Sequence, residues 1–333
     1  MTSRHIHDSA YPVRHTVPTP NSIDSDSAAL KGKTARTRSV EGLGEHKGGI
    51  VPWLCHDPIV AGGIAAALIA GHCVLLGLAF PHALLVAAFS GTALVYWGDR
   101  VLGFSPEDRH AHPERVAWIR RHRTWMLVEG LAFAGLLGAS VVSLRAETIA
   151  VAGLCGVLGA LHVAPLLPGR RRMKGLRWGK TSTIVLAWAV GSVVLPWLEA
   201  GPSGASTGAV AAVMIGRSLV LYANVMVAGW TDREGDQRAG LPAAQQMPEE
   251  TLRKTASWLA FGGGLVLVLV GALSHIPIVF ACVDAAAVFC VAYFIRYIQK
   301  QKRPFHMLWL DLAVAWPGVL VLLSAFGYEG GLV

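Results

Sequence analysis

The sequence predicts an all-α integral membrane protein of about nine spans. Three observations predict it. The composition is too apolar for a water-soluble chain, apolar runs long enough to cross a bilayer recur, and basic residues gather on alternate connections. Of 333 residues, 53% are hydrophobic and 15% charged, and the mean hydropathy is +0.48. These values fit a multi-span membrane protein.

Residues 1–52 stand apart. They are rich in Ser, Thr, His, Pro and charge, with no apolar stretch before Ile50. They are expected to form a disordered cytoplasmic tail, with 53–333 as the polytopic membrane domain. The tail has no apolar core of the kind a signal peptide requires. A span needs about 20 mostly apolar residues. Nine runs qualify, at 58–80, 82–98, 124–144, 147–167, 181–199, 207–229, 255–273, 276–296 and 306–327. The second and fifth are short, which suggests tilt or a local break.

Lys and Arg then orient the chain. The tail carries seven, and the segments after spans two, four, six and eight carry six, six, four and four. The opposite loops carry only Arg145, and Arg217 lies inside span six. The positive-inside rule therefore puts the tail in the cytoplasm and the C-terminus outside, across the inner (plasma) membrane. The net charge of +8 follows from this rule and from anionic headgroups. It gives no argument for a nucleic-acid partner. The five cysteines are scattered without metal or disulfide spacing.

Two acidic segments carry the chemistry. Tyr96-Trp97-Gly98-Asp99-Arg100 follows span two, and Gly229-Trp230-Thr231-Asp232-Arg233-Glu234-Gly235-Asp236-Gln237-Arg238-Ala239-Gly240 follows span six. Both contain Trp-x-Asp-Arg, and both read as loops on one membrane side, which suggests one site built from two halves of a bundle. On a continuing helix Asp232 and Asp236 would share a face, with Cβ atoms about 6 Å apart. Two carboxylates that close call for a cation, and Mg²⁺ shared with a phosphate-bearing substrate suits them. Asn224, two turns deeper, is placed to orient a ligand. Arg233, Arg238 and the basic run from Arg170 to Lys180 supply cations for phosphate oxygens. The plainer reading is that Arg233 and Arg238 neutralise a solvated acidic loop.

Nine spans with acidic motifs after spans two and six resemble the UbiA superfamily of intramembrane prenyltransferases. Asp232-Arg233-Glu234-Gly235-Asp236-Gln237-Arg238-Ala239-Gly240 is similar to that family's second motif, Asp-x-x-x-Asp-x-x-x-Gly. The resemblance covers nearly everything after the tail. It implies a bundle around a central cavity open to the cytoplasm, Mg²⁺ held by both motifs, and transfer of an isoprenyl group from a prenyl diphosphate to an aromatic or other lipophilic acceptor. On this reading Asp99, Asp232 and Asp236 are catalytic and metal-binding, while Arg100, Lys180, Asn224, Arg233 and Arg238 bind substrate. The family's first motif, Asn-Asp-x-x-Asp-x-x-x-Asp, is reduced. With Asp99 on the middle Asp, the other positions hold Val95, Tyr96 and Gly103. Asp108 and Glu107 are the nearby acids that could compensate, with Asp108 the candidate metal ligand.

Two other readings stand beside this one. The first is a UbiA-fold protein that binds a lipid or partner without transferring a prenyl group. The second is a secondary transporter, although acids at the membrane edge rather than the midplane count against it. Arg217 is expected to pair inside the bundle with Asp284 or Asp311. His72, His162 and Glu129 are expected to be packing or cavity residues. The many Gly and Ala residues, as in Gly153 to Gly159, suit either close helix contact or room for an apolar chain.

Overall fold

The computed structural model describes residues 54, 56–101, 113–168, 172, 173, 176, 179–201, 205–238, 247–273, 278–297 and 303–329. The expected tail, residues 1–52, lies outside them, as does Asp108. The regular elements are helices: α1 (Pro58–Leu76), α2 (His82–Val101), α3 (Pro113–Arg121), α4 (Arg123–Val141), α5 (Ala146–Val163), α6 (Gly179–Ala189), a π-helical turn (Val190–Val194), α7 (Leu195–Ala200), α8 (Thr207–Arg238), α9 (Glu249–Leu273), α10 (Ile278–Tyr297), α11 (Arg303–Val314), a 3₁₀ turn (Trp316–Gly318) and α12 (Val319–Glu329).

Among the described residues, seven helices have the length and apolarity to cross a membrane, the segment Gly179–Ala200 counting as one. The other two predicted spans differ. The second run is helix α2, whose ends carry His82 and Asp99-Arg100. The ninth is broken by the 3₁₀ turn between α11 and α12. Pro317 removes a backbone donor there, and α1 crosses the break so closely that a Cβ at Gly71 would collide with the Pro317 carbonyl.

Two expected loops are helical. The acidic segment after span six continues α8 without interruption to Arg238. At 1.5 Å per residue the 32 residues of α8 reach about 48 Å, well beyond a hydrocarbon core of about 30 Å. Hydropathy ends near Gly229, but no proline follows before Arg238 and the helix continues through Gly235, so it carries its acids past the apolar layer. Likewise Asp99 sits in the last turn of α2. The segment from Pro113 opens α3. Pro at a first helical position costs no hydrogen bond, and Glu114 in the first turn suits the helix dipole.

α1 shows how local sequence sets an element. Asp57 Oδ1 accepts a hydrogen bond from the Ile59 N–H at 2.8 Å, and Pro58 begins the helix. Gly77, at φ 62°, ends it with its N–H directed at the Cys73 and Val74 carbonyls.

The fifth span is indeed locally broken, and Pro196 accounts for it. A proline has no N–H for the carbonyl four residues back, which here is Ser192. His72 on α1 supplies the missing donor, its Nδ1 lying 2.9 Å from the Ser192 carbonyl oxygen. Arg217 on α8 donates from Nε to His72 Nε2 at 3.0 Å. Since a guanidinium N–H only donates, Nε2 accepts and Nδ1 carries the proton. The Arg217 Nη2 also binds Asp284 of α10. Of the two partners expected for Arg217, the structure selects Asp284. This chain links the broken span to α1, α8 and α10 through buried polar atoms.

Arg217→Met is expected to be among the most destabilising single changes. It leaves Asp284 buried and unpaired, a loss of about 3–5 kcal/mol. The double variant Arg217→Met/Asp284→Leu should recover much of that loss. Thermal unfolding of the detergent-solubilised protein measures both. Equal unfolding temperatures for wild type and Arg217→Met would remove this pair from the account of stability.

Candidate functional site

One cavity of about 670 Å³ runs between α2, α5 and the α6–α7 segment. That is ample for a small-molecule site. Its walls follow helical periodicity. On the α6–α7 segment the lining includes Lys180, Ile184, Ala187, Gly191 and Leu195, a single stripe along one helix face. On α2 the stripe runs from Leu84 to Asp99, and on α5 from Ile149 to Val163. Leu84, Leu144 and Leu195, all buried, line its apolar end.

The polar end gathers Asp99, Arg115, Lys180, Asp232 and Asp236. The end of α2, the beginning of α6 and the end of α8 therefore meet at one mouth. Asp232 and Asp236 sit four residues apart on α8 and line the same space. The Lys180 ammonium bridges them, donating to Asp236 Oδ2 at 2.7 Å and lying 3.9 Å from Asp232 Oδ2. Asp236 is almost wholly buried, with its side chain 3% exposed, whereas Asp232 is 29% exposed. The lysine thus chiefly compensates Asp236, while Asp232 keeps an open face toward the cavity.

Of the residues singled out in the sequence, Asp99, Lys180, Asp232 and Asp236 line one cavity. Arg100, Asn224, Arg233 and Arg238 do not belong to its lining. Arg100 donates to the His56 carbonyl at 2.6 Å and stacks over the Tyr96 ring. Asn224 donates to the Leu310 carbonyl at 3.1 Å, tying α8 to α11. Arg233 is half-buried and Arg238 exposed. Near Arg100, Asp57 caps α1. Burial pushes the Asp57 carboxyl up, while the Ile59 N–H, Arg100 and Glu129 act against that rise.

Two residues of the polar end, Arg115 and Tyr96, carry no site signal of their own in the sequence. Arg115 enters the cavity from α3, and the Pro113-Glu114 helix start was the available signal. Tyr96 lines the cavity one turn before Asp99. Asp311, expected as a partner for Arg217, instead has Arg100, Asp232 and Arg115 as its charged neighbours. Nothing in the sequence places α11 beside the end of α8.

Among the described residues, no group of three or more His, Cys, Asp and Glu side chains converges to hold a metal. The donor set nonetheless suits Mg²⁺. This ion commonly takes one or two protein carboxylates and completes its shell with water and phosphate oxygens. Asp232 and Asp236 provide two carboxylates on one face beside a roomy cavity, and the Lys180 ammonium shows that they accept a cation between them.

The architecture is similar to solved structures of a UbiA homologue from Archaeoglobus fulgidus. The structure bound to GPP and Mg²⁺ aligns with a TM-score of 0.59 at 14% identity, covering 82% of this chain and 98% of that one. The structure bound to DMAPP and Mg²⁺ gives 0.54 at 15% identity, covering 82% and 96%. The Cd²⁺-bound structure gives 0.52 at 14% identity, again covering 82% and 96%. Identities this low speak to fold, and the chain has the UbiA fold. No family model and no curated protein matches the sequence.

Lys180→Met removes the 2.7 Å ammonium contact to the buried Asp236 carboxylate. It should cost about 1–3 kcal/mol of stability, read as a lower unfolding temperature in detergent without divalent ions. Asp232→Asn, at a more exposed carboxylate farther from the ammonium, should change it far less. The reverse ranking would show that Lys180 does not compensate Asp236.

Proposed function

We propose that the protein is a Mg²⁺-dependent prenyltransferase of the inner membrane. It takes a prenyl diphosphate and transfers the isoprenyl group to an aromatic or other lipophilic acceptor. The carrying observation is the single cavity that joins a charged mouth to a long apolar shaft. The UbiA fold supports it, because the Archaeoglobus fulgidus homologue with that fold was solved with GPP or DMAPP and Mg²⁺. The charge asymmetry of the sequence orients this mouth to the cytoplasm, with the C-terminus outside.

In this reading Asp232 and Asp236 would hold Mg²⁺, with Asp99 across the cavity and Asp108 as a further candidate ligand. The ion would neutralise charge that builds on the departing diphosphate. Lys180 exchanges its carboxylate partners for phosphate oxygens as substrate enters, and Arg115 approaches the same group from α3. Arg100 and Arg233 add positive potential from just outside the lining. Asn224 holds α8 against α11, and Arg238 extends the positive field at the end of α8. Preorganised cations of this kind stabilise the leaving group as the allylic carbon–oxygen bond breaks. The apolar walls keep water from the electron-poor carbon until the acceptor attacks and gives up its proton.

A second reading has its own support. Only Asp99 represents the first motif, and Tyr96 occupies the place of one of its acids. A UbiA-fold protein that binds a prenyl lipid without transferring it fits that reduction.

The test is Mg²⁺-dependent binding of geranyl and dimethylallyl diphosphate to detergent-purified protein. The double variant Asp232→Asn/Asp236→Asn should lose that binding, by several kcal/mol if both carboxylates hold the ion. Asp99→Asn should weaken it. Asp108→Asn distinguishes a first motif that recruits a displaced acid from one that has lost its ligands. Unchanged binding in the double variant would defeat the proposal. A radiolabelled prenyl-transfer assay across lipophilic acceptors then separates transferase from binder.

Topology has its own check. Reporter fusions after Arg145 and at Val333 should map outside the cytoplasm, and fusions at Lys47 and Arg172 inside. A cytoplasmic C-terminus would overturn the orientation.

A further inference from the structure

We propose that the cavity is a gauge for prenyl-chain length, that it holds about four isoprene units, and that the small residues Ala187 and Gly191 are what leave its full length open. The inference rests on the reading of the charged mouth as a diphosphate site. It adds a chain length and the residues that leave room for it.

The depth follows from the helical stripe. Lys180 marks the mouth, and Leu195 lies fifteen residues farther along the same face. At 1.5 Å per residue that is about 22 Å. The facing wall agrees, because α2 contributes lining from Asp99 back to Leu84, again fifteen residues. One isoprene unit adds four carbon–carbon bonds along the chain, or about 5 Å when extended. The shaft therefore matches a chain of about twenty carbons before it meets the floor of Leu84, Leu144 and Leu195.

Gly191 strengthens the case. A Cβ added there would meet no described atom within 4 Å, so close packing does not require glycine. Glycine is also among the poorest residues for helix stability. At a position that lines the shaft, its absent side chain leaves open volume about 16 Å from the mouth. Ala187, small and on the same stripe, stands about 10 Å from it. Larger side chains at these two places would plug the shaft after about three and two units.

The experiment measures Mg²⁺-dependent binding of dimethylallyl, geranyl, farnesyl and geranylgeranyl diphosphates to the full chain in detergent. It compares wild type with Ala187→Phe and Gly191→Phe. Comparing each length across variants cancels partition of the ligand into micelles. Wild-type affinity should rise through geranylgeranyl diphosphate. Ala187→Phe should keep the two shorter ligands and weaken the two longer ones at least about tenfold, since at least one unit is forced out of apolar contact. Gly191→Phe should keep farnesyl diphosphate and weaken geranylgeranyl diphosphate to a similar degree. Retained dimethylallyl diphosphate binding reports that each variant is folded, and Gly191→Leu carries the same expectation with a smaller plug. Length-independent binding, or an equal loss at every length, overturns the gauge while leaving the diphosphate site intact. No diphosphate binding in wild type overturns the functional reading and the gauge with it.

Discussion

The buried guanidinium of Arg217 is the constraint on which the bundle depends. A charge inside the apolar layer is tolerable only where partners surround it. Here the partners are fixed by a backbone defect. Pro196 leaves the Ser192 carbonyl without its helical donor, His72 fills that vacancy, and the remaining nitrogen of His72 receives Arg217. Asp284 balances the charge. The break in the fifth span and the charge in the sixth therefore answer one another. The same break sits beside the shaft, because Gly191, Ser192 and Leu195 line it.

Against that frame the length of α8 brings acid to the mouth. The helix is anchored at Arg217 and again at Asn224, whose side chain binds the Leu310 carbonyl. Beyond these anchors it runs on to Asp232 and Asp236 without a change of backbone geometry. A helix places two acids four residues apart with far less freedom than a loop, which favours a defined cation site. Lys180 stands at the start of α6, so the basic and acidic ends of two long helices meet over the cavity. An attractive pair at an open mouth can exchange for a cation and an anion arriving together. A buried pair such as Arg217–Asp284 has no such route, and its role is structural.

The glycines illustrate how one sequence feature divides into two physical roles. Gly153, Gly156 and Gly159 form a single small-residue pattern on α5. A Cβ at Gly159 would press on Val95 at 3.2 Å, so that glycine permits close approach to α2. All three line the cavity, but a Cβ at Gly153 or Gly156 would meet no described atom within 4 Å, so there the missing side chain leaves space rather than contact. Spacing alone cannot distinguish these roles, because both need only a missing side chain.

The sequence by itself determined the class of protein. Apolar runs and alternating basic connections are properties of local composition, and a bilayer reads composition directly. It also exposed Asp99, Lys180, Asp232 and Asp236, since charges at the ends of apolar runs are costly enough to be conspicuous. Helix ends were less legible. Hydropathy marks where the membrane stops, not where backbone hydrogen bonding stops, so α8 and α2 outran their predicted spans. Only the tertiary structure decided which charges meet. It paired Arg217 with Asp284 rather than Asp311, brought Arg115 and Tyr96 to the mouth, and left Arg100 and Asn224 outside the lining. These outcomes depend on which faces of distant helices pack together, and no local pattern in the chain encodes that choice.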